Sequence, residues 1–382
     1  RKIMKIIFEK DELLKCLTPA MNTVSTKNTM PAIMGILFNA DEKGCCTICS
    51  YDLEKGMMIK TYPKIEQTGS YIIPAAKLYR IVRIMPGDEI CIEVTDKNLA
   101  RISSGKSEFK LSVMNGSDFP SMPELSLNKG FDIGGEVIKE TVAQVQHAIS
   151  TNENQRPVLL GAYFMLEEGG IRVVACDSNV LAMRKKNCEL ANINIEDNFK
   201  FIVPGKTLIE LMKLIPESEE AIRINFGRKH VIFVIGDIIF FSRLIEGEYI
   251  NYERVIPKES KIFATIEKSE ILSGLERVSL VSEDKSTGQT RSYVRCEFED
   301  DILKISAKSA TYSVNDEISC NKTGDNITIG LKCSYLMNVV RSIDEDSITL
   351  MMNSPLMSVV VKNDECEDGE YLYMISPVKM VD

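Results

Sequence analysis

The chain has 382 residues, 44% of them hydrophobic and 26% charged, with a formal net charge of −9. That is an ordinary globular composition with length for two to four domains, and it excludes a chain that is basic throughout and holds nucleic acid by bulk charge. No run approaches the ~18 consecutive apolar residues of a membrane-spanning helix, and two histidines leave little room for His-based catalysis.

Residues 4–9 read as a first strand. A helix over 10–25 follows, opened by Lys10 and Asp11, with Leu13, Leu14, Leu17 and Met21 on its apolar side. Pro19 inside it should bend or interrupt it. A polar turn at 26–29 leads to a strand over 30–38, then strands at 45–52, 55–62 and 67–73. The helix expected over 74–86 places Leu78, Ile81, Val82 and Met85 at i, i+3, i+4 and i+7, one apolar stripe. A Pro- and Ser-rich stretch, 116–129, closes this first paragraph of the sequence.

The paragraph is then written twice more. The second copy has a strand at 131–133, a helix over 136–150, a polar loop at 151–157, and strands at 158–166, 171–176 and 180–187. Its second helix, 204–216, carries the stripe Leu208, Leu211, Met212, Ile215, and apolar runs at 231–235 and 238–241 follow it. The third copy opens at 262–266, has helices over 268–282 and 332–343 and a polar loop at 282–291, and repeats the stripe as Leu336, Val339, Val340, Ile343. A spacing of about 130 residues is too long for a solenoid and suits whole domains. The expectation is α+β, three similar domains over 1–127, 128–258 and 259–382, each with two helices packed on antiparallel sheet.

The start of the chain has no signal-peptide pattern, so a cytoplasmic protein is expected, and its eleven cysteines read as reduced thiols. Cys46-x-x-Cys49 has zinc-like spacing without a second pair, and reads as small apolar residues on a strand, with no metal and no cofactor. No phosphate loop, dinucleotide fingerprint or nucleophile elbow is present. Gly205-Lys206-Thr207 lacks the earlier glycine of a phosphate loop. Asp177, with Ser178 and Asn179, reads as a turn; a hydrolase or transferase built on Cys176 and Asp177 is the enzymatic rival. The chain therefore reads as a binding protein and not an enzyme.

Charge is unevenly distributed. The six predicted helices are together net positive, so the remainder is more acidic than the total of −9. Arg83, Lys213 and Arg341 hold one register just before three helix ends. Cations there complement the helix dipole, or they mark a shared positive surface.

Several stretches resemble one family in order and spacing over essentially the whole chain. They are Met4-Lys5-Ile6-Ile7 with Leu13-Leu14-Lys15, Met30-Pro31-Ala32-Ile33-Met34-Gly35-Ile36-Leu37, and Asp118-Phe119-Pro120. Val203-Pro204-Gly205-Lys206 with Ile209-Glu210-Leu211-Met212, Tyr252-x-Arg254-Val255-Ile256-Pro257 and Pro377-Val378-Lys379 complete the set. They resemble the beta subunit of bacterial DNA polymerase III, the sliding clamp family. The resemblance implies a head-to-tail homodimer closed into a ring of six domains around duplex DNA. Such a ring slides without reading sequence and tethers the replicative polymerase alpha subunit. The clamp loader and other clamp-motif proteins are the further partners it implies; no membrane is involved.

Lys27, Lys77, Arg80, Arg83, Lys139, Arg156, Lys206, Lys213 and Arg341 are the candidates to face DNA phosphates, and Lys27 falls where the family places a DNA-contacting Arg. The paired aromatic residues of the family's second-domain loop are replaced here by Pro157 and Val158. A partner-peptide groove would use Leu159, Cys176, Asn179, Val180, Leu181, Ile250, Arg254, Val255, Met374, Ser376, Pro377, Val378 and Met380. The family's Thr-Asp-Gly-His-Arg-Leu is Cys176-Asp177-Ser178-Asn179-Val180-Leu181 here, and Ser376 stands where a Met is usual, which points to altered peptide preference. The dimer seam would join Phe109 and Leu111 to Leu280 and Val281. A clamp-like paralogue that scaffolds proteins without loading on DNA is the alternative.

Overall fold

The computed structural model of the chain describes residues 2–26, 29–196, 199–218, 220–282, 293–309, 312–366 and 369–380. Lys27 and nearly all of the third polar loop lie outside the described residues.

Each predicted helix is present: α1 Lys10–Ala20, α2 Ala75–Ile84, α3 Gly135–Val145, α4 Gly205–Leu214, α5 Lys268–Ser282 and α6 Cys333–Arg341. The apolar stripes are what fix them. Leu78, Ile81, Val82 and Met85 of the first stripe are buried, as are Leu336, Val339, Val340 and Ile343 of the third; in the second, only Met212 stays half-buried. α1 runs through Pro19 and stops one residue later, where Met21 donates to the Leu17 and Pro19 carbonyls and a 3-10 turn, Met21–Thr23, takes over. The prediction of 136–150 likewise divides into α3 and a 3-10 turn, Gln146–Ala148.

Two strands begin later than the sequence suggests. Residues 31–34 and 157–160 are 3-10 turns, and the strands start at Gly35 and Gly161. Pro31 and Pro157 head these turns. Proline has φ preset near the helical value and no N–H to give a ladder, so apolar character alone misreads both stretches as strand.

The chain packs as two compact units, residues 1–136, 190–196 and 206–244 in one, and 137–189, 197–205 and 245–382 in the other. The first unit holds a five-stranded sheet in the order Lys64–Gln67, Lys2–Glu9, Glu89–Thr95, Leu99–Ser104, Ser107–Ser112. It also holds a nine-stranded sheet in which Lys55–Thr61 of the first repeat pairs antiparallel with Ile238–Arg243 of the second, Met57 opposite Phe240. The Pro- and Ser-rich stretch crosses this unit as an apolar strap: Phe119, Met122 and Leu125 pack against Tyr51, Ile232 and Phe241.

The second unit repeats the plan. Its nine-stranded sheet joins Val180–Asn187 of the second repeat to Gly369–Ile375 of the third, Leu181 opposite Met374. Its four-stranded sheet runs Ser313–Ser319, Ile302–Lys308, Tyr293–Glu299, Ile327–Lys332, with α5 against its first strands. Cys46 and Cys49 lie buried on the strand Cys46–Tyr51, and burial pushes both thiols up, Cys49 to about 12. They behave there as small apolar residues. No described helix is long and apolar enough to cross a membrane.

Candidate functional site

The proposed groove residues lie within the second unit, at one end of the nine-stranded sheet. Strand Gly170–Cys176 ends there, and Asp177 makes the turn. Its Oδ1 accepts from the Asn179 and Val180 N–H groups at 2.9 and 2.8 Å, and its Oδ2 accepts from the Tyr335 hydroxyl at 3.1 Å. Asp177 is thus committed to holding backbone, and the turn reading of 177–179 is borne out. Ser178 takes φ 79° inside that turn. Ser376 N–H then donates to the Asn179 carbonyl at 2.8 Å, which ties the tail to the turn.

The thirteen residues divide by depth. Leu159, Cys176, Leu181 and Met374 are buried in one apolar cluster with Tyr249 and Tyr252, and Ile250 packs against it. This is a floor. Burial raises the Cys176 thiol and pushes the Tyr252 phenol up to about 12, so both stay neutral. Val180 is also buried, but it follows strand alternation to the sheet face opposite Leu181 and is outside the cluster. Asn179, Arg254, Val255 and Val378 are exposed, and Ser376, Pro377 and Met380 are half-buried. Val255, 55% exposed, follows the 3-10 turn Tyr252–Arg254. These residues form a rim.

The tail reaches its place because of one glycine. Val378 N–H donates to the Gly330 carbonyl at 2.8 Å. A Cβ on Gly330 would stand 2.7 Å from Met380 Cγ and 2.9 Å from the Val378 carbonyl oxygen.

Two contributors escaped the sequence reading. Tyr163 packs against the floor and stacks on Tyr249 with centroids 4.8 Å apart; their aromatic character was visible, but their meeting depends on tertiary structure. Leu356 and Met357 are 80% and 44% exposed in the turn before Val359–Cys366. Val359 pairs with Ile375, so that turn borders the same sheet end. An apolar pair between Pro355 and Ser358 was the available signal.

The candidate phosphate-facing cations are solvent-accessible. Lys77, Arg80, Arg83, Arg156, Lys206, Lys213 and Arg341 are exposed and Lys139 is half-buried; Lys27 lies outside the described residues. Lys77, Arg80 and Arg83 follow one another at i+3 along α2, a single edge of that helix. Arg83, Lys213 and Arg341 all occupy the last turn of their helices. Each also has a local neighbour. The Arg83 guanidinium lies 5.7 Å over the Tyr79 ring, Lys213 pairs with Glu210 at 3.1 Å, and Arg341 pairs with Glu276 at 3.1 Å.

Each unit leaves a strand at a sheet edge. Among the described residues Ser107–Ser112 pairs on one side only, and it carries Phe109, 38% exposed, and half-buried Leu111. In the second unit Ser313–Ser319 is the outer strand, beside the end of α5, where Leu280 is 79% exposed and Val281 is half-buried.

Comparison with known proteins agrees along the whole length. Models of the N-terminal, central and C-terminal domains of the DNA polymerase III beta subunit match residues 4–123, 132–251 and 253–377. A beta sliding clamp of Staphylococcus aureus is 28% identical over 371 residues, covering 94% of this chain and 96% of that protein. One of Staphylococcus epidermidis is 28% identical over 388 residues, with 99% and 100% coverage. The crystal structure of the DNA polymerase sliding clamp from Bacillus subtilis superposes with a TM-score of 0.91 at 25% identity, covering 99% of this chain and 100% of that one. With three domain models in order, full-length relatives and a matching fold, the chain belongs to the DNA polymerase III beta subunit family, the beta sliding clamps, a family of non-catalytic polymerase subunits that act as processivity factors.

Proposed function

We propose that two copies of this chain close head to tail into a ring around duplex DNA and hold a replicative polymerase through the groove at 176–181 and 374–380. The domains would be those of the sequence, 1–127, 128–258 and 259–382. The observation that carries this reading is the pair of open edge strands, Ser107–Ser112 and Ser313–Ser319, one in each unit. Unpaired strand edges invite pairing with another chain. Two different edges joined head to tail make a heterologous interface, which gives a ring when the rotation closes. Phe109 and Leu111 would meet Leu280 and Val281 there as apolar anchors.

DNA carries about one negative charge per 1.7 Å of axis. A positive inner surface would hold it without reading base edges, as sliding requires. The last-turn cations support this role, and their ion pairs fit it too, because exposed pairs are weak enough to exchange for phosphate. The groove, with an apolar floor and Arg254 at its rim, suits a short peptide with a few apolar anchors; Leu356 would widen its apolar side. Clamp loader and clamp-motif proteins are the further partners of that groove.

The test is retention on DNA. The protein is loaded by its clamp loader onto nicked circles, washed at moderately high salt, and the circles are then cut once. Retention on circles with loss on cutting is the expected result. Stripping by salt alone would mean ordinary charge contacts, and an intact ring that never loads would point to a protein scaffold.

A further inference from the structure

Residues 150–159 of the second unit form one hydrogen-bonded loop, and a residue of the groove floor closes it. Leu159 N–H donates to the Arg156 carbonyl at 3.0 Å, and the Leu159 carbonyl accepts from Ser150 N–H at 2.9 Å. Inside the loop the Ser150 hydroxyl donates to Gln155 Oε1 at 2.9 Å and accepts from Asn152 N–H at 3.2 Å. Gln155 N–H donates to the Asn152 carbonyl at 3.1 Å. Ser150 is buried and Gln155 half-buried, whereas 151–154 and Arg156 are exposed.

The other end of the Gln155 amide leaves the loop. Its Nε2 donates to the Asp177 carbonyl at 3.4 Å, a long bond that closer approach would strengthen. Asp177 is the residue whose Oδ1 holds the Asn179 and Val180 N–H groups and whose Oδ2 takes the Tyr335 hydroxyl. The loop therefore meets the groove twice, at the floor through Leu159 and at the turn through Gln155. Arg156 stands between those two contacts, exposed and, among the described residues, in no ion pair. A free guanidinium suits a phosphate oxygen pair. A loop with an exposed middle sits at the low end of local stability, so a ligand at Arg156 would order it.

We infer that this loop couples the two sites: a duplex phosphate taken by Arg156 orders 150–156, Gln155 and Leu159 carry the ordering to the groove, and duplex and partner peptide each tighten the other's binding. The inference rests on the roles proposed above for Arg156 and the groove. Order supplied by the first ligand is not lost again on binding the second, and the coupling is reciprocal. Gln155 is a positioning residue that acts through Asp177. A ring on DNA then holds its partners more firmly than a free ring does.

The test uses the full-length protein, a blunt linear duplex and a fluorescent clamp-motif peptide of the polymerase alpha subunit, at constant ionic strength. Anisotropy gives the peptide Kd without duplex and at saturating duplex. The expected result is about fivefold tighter peptide binding with duplex present, and the same factor in duplex affinity at saturating peptide. Gln155→Leu should leave the duplex-free Kd within about twofold and abolish the factor. Gln155→Glu keeps an acceptor for Ser150 but loses the donor to Asp177, and should abolish it as well. Amide exchange of the unaltered protein reads the coupling without a variant: duplex should slow exchange at Gln155, Leu159, Asn179 and Val180. The coupling is overturned if both ligands bind but duplex leaves the peptide Kd unchanged or weaker, if either variant keeps the factor, or if exchange at 179–180 does not move. In each of those cases the function proposed above still stands. If the peptide or the duplex fails to bind at all, that function falls and the coupling with it.

Discussion

Leu181 and Val255 stand side by side in the sequence reading of the groove and part company in the structure. Leu181 is fully buried in the apolar floor, whereas Val255 is 55% exposed. Leu181→Ala should cost about 2–5 kcal/mol of stability, read by denaturant unfolding. Val255→Asp should leave that curve within about 0.5 kcal/mol and weaken the binding of a partner-derived peptide by tenfold or more. His147 supplies a second residue-scale outcome. Burial lowers its pKa to about 4, outweighing the upward pull of Asp177, against an ordinary value of 6.5. The unfolded chain therefore takes up this proton first as pH falls. The contribution is fully present above about pH 6.5 and is lost progressively towards about pH 4, by up to ~3 kcal/mol. Glu140, Asp344, Lys186 and Arg341 face the same space, so the contribution is isolated by comparing wild type with His147→Asn at pH 7 and pH 4.5. The excess acid loss should vanish in the variant. Side-chain depth was the part of the site that sequence could not show. Position along a strand was readable, and so was the alternation that sends Val180 and Leu181 to opposite faces, but the split between floor and rim depends on which strand lies alongside.

At the scale of elements, the helices were the most legible feature, because a stripe at i, i+3, i+4, i+7 has one plausible home. The strands after Pro31 and Pro157 were less so, since an apolar run reads alike as strand or 3-10 turn until proline's missing N–H is counted. The tail 376–380 has no periodicity at all; its place is set by Gly330 and by two backbone hydrogen bonds, from Ser376 to Asn179 and from Val378 to Gly330. Gly330→Ala should unseat that tail: its Cβ would meet backbone and Met380 at under 3 Å. We expect peptide affinity to fall several-fold while the thermal transition moves by only a few degrees. Equal loss of both would mean that the tail is part of the core. The proposed seam is testable in the same way. Phe109→Asp and Leu280→Asp alter exposed positions, and each should turn a dimer into a folded monomer by light scattering, with unchanged circular dichroism.

For the whole molecule, the triplicated pattern made three domains readable, and the charge tally made a partly positive protein readable inside an acidic one. Reversing Arg83, Lys213 and Arg341 to Glu together removes six cations from the proposed two-chain ring and should reduce the salt slope of DNA binding by up to roughly 6 while leaving retention on uncut circles at low salt, because topology holds what contacts no longer do. What the repeats concealed is how the sheets are shared. Each nine-stranded sheet crosses a repeat boundary through main-chain pairing, Lys55–Thr61 with Ile238–Arg243 and Val180–Asn187 with Gly369–Ile375. The sequence period and the unit of folding are therefore different lengths of chain. Cut out alone, residues 128–258 would lose the partner strand on both sides and present two raw apolar edges to solvent. Such a fragment should aggregate on expression. Limited digestion of the intact chain at its exposed linkers, 127–129 and 258–259, should leave the nicked pieces associated through the shared sheets. Gene triplication, on this view, produced a protein that can no longer be divided back into the units from which it was copied.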